Sequence, residues 1–271
     1  MNTDTWIPDE QWLDKPSAAR IYDYLLGGYH NFEIDRLVAG KLLEILPDAR
    51  LGAQANRAFL RRVVNFLAEQ GIDQFLDIGS GLPTVGNVHT VAQAANPAAR
   101  VVYVDIDPIA VAHSRAILKD IPNTTAIRAD ARDPDHIMNH AEVKGLLDFS
   151  QPVAVLLLLI VQAIPDDEEA YGAVRTLRSA LAPDSYIAIS HATLDEAPPE
   201  FVEQTVKISA GTSTPTIYRS RAEILQFFEG FELVEPGLVY VPLWRPEGPD
   251  DVFLDCPERA LACGGVGRKA T

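Results

Sequence analysis

Cysteine, basic side chains and long apolar runs are all scarce in this chain. Its 271 residues include two cysteines, Cys256 and Cys263, with no second pair to complete a zinc site. That excludes a disulfide framework and makes a reduced, cytoplasmic protein the expectation. Lys and Arg total 23 against 38 Asp and Glu, a formal charge of −15. So acidic a surface repels phosphate backbones, so general nucleic-acid binding is not expected. The basic triplet Arg57, Arg61, Arg62 shares its helix with Glu69 and reads as a solvated face. The most apolar stretch, Val153 to Val161, is far shorter than the ~20 residues of a membrane span. The first residues lack the basic region and apolar core of a signal peptide.

Apolar residues are plentiful. At 47% of the chain they suffice for one large domain, or one domain with a cap. Residues 1–72 read as a helical cap. Pro16-Ser17 opens a helix carrying Ile21, Leu25 and Leu26, which Gly27-Gly28 stops. A second helix is expected from Asp35 to Leu46. A third, from Ala53 to Glu69, aligns Ala55, Phe59, Val63, Phe66 and Leu67 on one stripe closed by Gly71. From 73 to 271 strands alternate with helices. Strands are expected at 74–78, 101–105, 124–129, 153–161 and 185–190, with helices at 84–96, 108–119, 134–147 and 166–181. Helices at 196–209 and 220–228 follow, then strand-like segments at 231–241 and 259–266. Such alternation specifies a doubly wound, mostly parallel, Rossmann-like α/β sheet of seven strands.

The most informative segment is Phe75-Leu76-Asp77-Ile78-Gly79-Ser80-Gly81. A strand runs into an acid and then a glycine turn, where ligand can approach backbone. The acid ahead of the first glycine favours S-adenosylmethionine, whose amino-acid end carries an ammonium, over a dinucleotide. Asp77, Gly79, Ser80 and Gly81 are therefore candidate cofactor residues. Asp105 ends the second strand and can accept both ribose hydroxyls, with Ile106 beside it; Asp107 before Pro108 reads as a helix cap. Asp130, with Ala131, follows the third strand, from where a side chain can reach an adenine amine or simply lie in solvent.

Other residues divide between chemistry and structure. Tyr22, Tyr24, Asn31 and Arg36 stand beside the Gly27-Gly28 pair, and with Gly28 they would form a lid over cofactor and substrate, or Tyr22 and Tyr24 would pack into an ordinary helix interface. His191, after the fifth strand, is the candidate general base or a structural histidine bonded to a loop carbonyl. His89 can hydrogen-bond near the turn. His136 and His140 lack the intervening glutamate of a zinc protease and read as solvated. Asp166-Asp167-Glu168-Glu169 suits a helix N-terminus, so no metal is expected. Gln162-Ala163-Ile164-Pro165 follows the fourth strand without the Asn/Asp-Pro-Pro-aromatic element of adenine and glutamine methylation. No Pro-Cys nucleophile for cytosine is present. A small-molecule substrate remains, with Gln162 a candidate contact.

Taken together, these blocks resemble class I S-adenosylmethionine-dependent methyltransferases. More narrowly they resemble the actinobacterial S-adenosyl methyltransferase family once described as a domain of unknown function. The resemblance rests on Pro16 to Gly28, Asn31-Phe32, Asp35-Arg36, Ala55 to Arg62, Phe75 to Gly79, Gly81 to Thr84 and Asn87-Val88-His89. Val102 to Asp105, Asp107-Pro108, Ser190 to Thr193 and Gly264 to Lys269 complete it. It departs at Tyr29 and His30, where the family commonly has lysine and aspartate. It departs again at Gln162, often histidine, and at Cys263, often aromatic. The resemblance implies fold and cofactor but no acceptor. The readings left open are a non-catalytic cofactor-binding sensor and an NAD-linked oxidoreductase; Asp77 and the missing third glycine oppose the latter.

Overall fold

The structure is a computed structural model describing residues 14–83, 86–210, 215–249 and 251–270. Three helices precede the sheet: α1 (Ala18–Leu25), α2 (Glu33–Ile45) and α3 (Ala49–Glu69). Then β1 (Gln74–Ile78), α4 (Val88–Ala95), β2 (Arg100–Asp105), α5 (Pro108–Leu118) and β3 (Thr124–Arg128) follow one another. The next elements are α6 (Pro134–Asn139), α7 (Ala141–Leu146), β4 (Ala154–Leu158), α8 (Asp167–Ala180) and β5 (Tyr186–Ala192). The chain continues through α9 (Pro199–Ala210), α10 (Arg221–Gln226), β6 (Phe231–Leu233), β7 (Val239–Tyr240) and β8 (Ala262–Lys269).

The sheet runs β3-β2-β1-β4-β5-β8-β6, with β7 also on β8. Its first five strands are parallel, and β8 lies antiparallel to β5, β6 and β7. The segment expected as one strand over 231–241 is thus two short strands, broken where Gly237 takes φ +85°. β6 meets Gly267–Lys269 and β7 meets Cys263–Gly264, along one edge of β8. Glycine in β8 has a packing reason. A Cβ on Gly264 would come within 2.7 Å of Phe59, so only bare backbone lets that ring lie on the sheet.

Side-chain parity along the strands separates two cores. Phe75, Val101, Tyr103, Leu156 and Ala188 point to the face covered by α3 and α4, where Phe59, Val63, Leu67 and Val88 complete one cluster. Leu76, Val102, Val155, Ile187 and Ile189 point to the opposite face, against Ile137, Val174 and Phe227. The apolar stripe of α3 is therefore a sheet-covering surface, and Phe59 is fully buried in it. Phe59→Ala is expected to cost about 3–5 kcal/mol. Gly71, at φ +86°, ends α3 where its sequence indicates.

Three expected boundaries differ for local reasons. The helix expected over 134–147 breaks at His140, which is extended and accepts the Glu142 N–H on its ring nitrogen. The strand expected over 153–161 stops at Leu158 because Leu159 turns left-handed, at φ +54°. The strand expected to end at 190 continues to Ala192, so His191 lies inside β5, opposite Cys263. The helix expected from 84 begins at Val88 among described residues; Thr84 and the 211–214 stretch lie outside them.

Candidate functional site

The carboxyl ends of β1, β2 and β4 frame a cavity of about 460 Å³. Its other wall is the segment from Lys15 to Arg20, with Tyr22, Asn56, Arg57 and Leu60. Parallel strands leave such a crevice at their carboxyl ends because the crossover helices depart in opposite directions there. Parity then selects what faces it: Asp77 and Asp105 follow Phe75 and Tyr103 at two-residue spacing and point to the α3 side.

Asp105 is buried and already organised. Its Oδ2 accepts the Gly81 N–H at 2.8 Å and its Oδ1 the Asp107 N–H at 2.8 Å. Each oxygen keeps a further lone pair, which matches two neighbouring hydroxyls. Burial pushes its carboxyl up to about 6, opposed by those backbone donors. Asp77 is more perturbed: burial raises it to about 7, the Arg57 charge pulls it back, and Asp105 adds to the rise. Such a carboxyl favours a cationic ligand, whose charge restores the ionised form.

The glycine turn brings backbone close to the cavity. Gly79 has φ +72° and Gly81 φ +61°. A Cβ on Gly79 would come within 2.4 Å of the Ile160 side chain, so nothing larger fits between β1 and the β4 loop. These residues fit a nucleoside bearing an amino acid: hydroxyl acceptors on Asp105, an acid for an ammonium on Asp77, and a cradle without side chains between them.

Hydrogen bonds fix the walls. The Leu159 N–H donates to Ser190 Oγ at 3.0 Å, and that hydroxyl donates to Asn56 Oδ1 at 2.7 Å. Asn56 Nδ2 donates to the Tyr22 hydroxyl at 3.1 Å, which donates to the Ala53 carbonyl at 3.0 Å. This relay ties β4, β5, α3 and α1 around the cavity and orients the Asn56 amide. Arg20, fully buried, is a second tie. Its Nε donates to Asp35 Oδ2 at 2.7 Å and its Nη1 to Asp107 Oδ2 at 3.3 Å. Asp107 also caps α5 by accepting the Ile109 N–H at 2.8 Å.

Not every residue singled out from the sequence reaches the cavity. Asp77, Gly79, Ser80, Gly81, Asp105, Ile106, Tyr22 and Gln162 line it. Asp130 and Ala131 do not, and the Asp130 carboxylate is paired with Arg132, which holds it below the ordinary carboxylate range. Tyr24, Gly28, Asn31 and Arg36 also lie outside the lining. Tyr24 packs under Arg50, whereas Asn31 closes the loop by donating to Asp23 Oδ2 and Gly28 O, and Arg36 donates to Asn31. Gly28 leaves room for Asp23, whose carboxylate a Cβ would strike.

His191 is on the other face. Parity places it with Ile187 and Ile189, stacked on Phe227. Its Nδ1 meets the Ala192 carbonyl at 2.8 Å and its Nε2 the Arg219 Nη1 at 2.8 Å, so the neutral ring donates through Nδ1 and accepts through Nε2. Burial pushes it down to about 4. Both nitrogens are occupied, and the ring is absent from the cavity lining. Arg219 in turn holds Asp167 at 2.7 Å. His89 bonds the Tyr103 hydroxyl at 2.7 Å, beneath the turn.

The arginine triplet does not form a solvated face. Arg62 is buried, donating to the Trp244 and Val241 carbonyls at 2.8 and 2.7 Å. Arg57 lines the cavity, and only Arg61, paired with Glu247, is half exposed. The reason is that α3 is covered on several sides, by the sheet and by the 241–243 turn. Asn56 and Arg57 were missed as site residues; the available signal was polar residues three positions before the apolar Phe59 and Leu60.

Comparison with known proteins gives the family of the chain as a whole. A family model described as S-adenosyl methyltransferase matches residues 5–270. A putative methyltransferase from Thermobifida fusca YX is 44% identical, with TM-score 0.89 over 98% of this chain and 100% of its own. A DUF574 family protein from Streptomyces avermitilis is 38% identical, with TM-score 0.89 over 94% of this chain and 98% of its own. A possible exported protein from Bordetella parapertussis, 16% identical with TM-score 0.58 over 96% of this chain and 81% of its own, shares the fold. No curated protein matches the chain. The chain belongs to the S-adenosyl methyltransferase family, and S-adenosylmethionine is its cofactor.

Proposed function

We propose that the chain transfers a methyl group from S-adenosylmethionine to an oxygen or nitrogen of a small-molecule acceptor. The observation that carries this reading is the cavity itself, with Asp77, the Gly79–Gly81 turn and Asp105 arrayed along one side. When bound, the cofactor supplies an activated methyl group on sulfur, so the chain's residues need chiefly to bind, orient and exclude water. Asp105 takes the ribose hydroxyls and Asp77 the ammonium. Leu158, Leu159, Ile160 and Ala163 give the cavity an apolar flank near Gln162, which favours a compact organic acceptor. The volume lies in the range of small-molecule sites. The segment from Lys15 through α1 closes the opposite side and acts as the lid, held by Arg20 on Asp107 and Asp35.

Calorimetry with S-adenosylmethionine, S-adenosylhomocysteine and NAD tests this: the first two are expected to bind, and a preference for NAD overturns the reading. One observation favours a second reading. Among the described residues the cavity lining includes no histidine, cysteine or glutamate, and with Asp77 and Asp105 given to the cofactor no general base is left over, so a sensor without turnover fits. Incubation with labelled S-adenosylmethionine and metabolite extract separates the two. Label incorporated into a small molecule supports the enzyme, and its repeated absence supports the sensor.

A further inference from the structure

Arg57 lines the cavity, and the groups already described leave its position unexplained. It stands on α3, with its guanidinium carbon 5.7 Å from the centre of the Tyr22 ring. That ring is fixed by the hydrogen bonds to Ala53 and Asn56. The arginine stem passes Gly86, where an added Cβ would meet its Cγ and Cδ at 3.8 Å. The charged end is thereby held on the glycine-turn side of the cavity. Among the described residues its Nε is buried without a hydrogen-bond partner. A buried donor left unpaired is costly, and native structures seldom keep one without a ligand or water to receive it.

The cations nearby are differently placed. Arg20 spans Asp35, Asp107 and the Lys15 carbonyl, and Lys15 is exposed. Arg57 is close enough to Asp77 for its charge to draw that carboxyl down, yet no ion pair within 4 Å joins them among the described residues. A cation and an anion facing one cavity, near each other but not in contact, is what an α-amino acid requires. Such a group carries its ammonium and carboxylate on a single carbon, so each needs a partner of opposite charge a few ångströms apart.

We propose that Arg57 binds the carboxylate at the amino-acid end of the cofactor, while Asp77 takes the ammonium on the same carbon. The inference rests on the cofactor reading of this cavity and adds to it a discriminating contact. A nucleoside with the same ribose and base but no amino acid would gain nothing from Arg57. The same guanidinium chemistry would suit a carboxylate on the methyl acceptor, and the experiment separates these two sources.

Calorimetry is run on wild type, Arg57→Met and Arg57→Lys with S-adenosylhomocysteine and with 5′-methylthioadenosine, which lacks the amino acid. Arg57→Met is expected to weaken S-adenosylhomocysteine about 10- to 100-fold and to leave 5′-methylthioadenosine within about twofold. Arg57→Lys is expected to fall between, and serves if the methionine variant does not fold. Unchanged S-adenosylhomocysteine affinity overturns the proposal and turns Arg57 toward the acceptor. Equal losses for both ligands overturn it as well, because they mean a damaged pocket. If wild type binds neither ligand, the cofactor reading fails and this assignment fails with it.

Discussion

Two polar clusters, each built around buried side chains, stand at strand ends on opposite faces of one sheet, and they differ in what remains unsatisfied. On the α3 face, Asp77, Asp105 and Arg57 border open space and keep unused hydrogen-bonding capacity. On the other face, His191, Arg219 and Asp167 are joined to one another: both imidazole nitrogens are bonded, and Arg219 also packs over Phe227 and Tyr171. Both clusters contain strongly shifted groups, so a shifted pKa alone does not distinguish site from framework. Unused valence facing a cavity does.

The sharpest way to break this contrast is to remove Asp105. Asp105→Ala strips the proposed ribose acceptor and leaves the Gly81 and Asp107 amides without the carboxylate they donate to. It is expected to weaken S-adenosylhomocysteine and 5′-methylthioadenosine alike, by about 100-fold or more on the strength of two charge-assisted bonds. Calorimetry showing unchanged nucleoside affinity removes Asp105 from the site. The reciprocal change, Arg219→Met, orphans His191 and frees Asp167. It is expected to lower unfolding free energy by about 2–3 kcal/mol, read by denaturant titration, while S-adenosylhomocysteine affinity stays within about threefold. A large affinity loss in a folded Arg219→Met variant would join the two clusters functionally.

Titration gives the contrast opposite signs. Native Asp77, raised to about 7 by burial, keeps a proton that the unfolded chain releases near the ordinary carboxylate value. Stability from this group therefore declines as pH rises from about 4 to 7. Native His191, lowered to about 4 by burial, refuses a proton that the unfolded chain accepts below about 6.5, so its contribution declines as pH falls through that window. Relative to wild type, Asp77→Asn should flatten the loss toward neutral pH and His191→Gln the loss toward acid, measured by chemical denaturation at a series of pH values. Binding adds a further test. On the proposed pairing of the ammonium with ionised Asp77, S-adenosylhomocysteine affinity should rise with pH by up to about tenfold per unit below 7 and be flat in Asp77→Asn. The smallest effect is expected from His191→Gln on cofactor affinity, at most about twofold; a substantial drop there would return the histidine to the site.

Much of the site nearest β1 and β2 is legible in the chain because its geometry is local. Asp77, Gly79, Ser80 and Gly81 lie within five residues, and a strand followed by a left-handed turn places them whatever the rest of the molecule does. Asp105 is legible for a related reason, as the last residue of an apolar strand. The lid residues were harder to assign. Tyr22 reaches the cavity, whereas Asn31 and Arg36 satisfy the loop at Asp23, and nothing in their spacing separates those outcomes. His191 depended on where β5 ends: two more strand residues and one step of parity put it on the far face.

Local pattern thus determined the order of strands and helices, the glycine turn and the two strand-end acids, since hydrophobic period and turn chemistry act over a few residues. Tertiary packing alone decided that β8 enters between β5 and β6, that Arg57 and Arg62 turn inward, and that Arg20 meets Asp107 across 87 residues of chain. A charged side chain's fate is set by what folds over it, and that covering comes from distant parts of the chain.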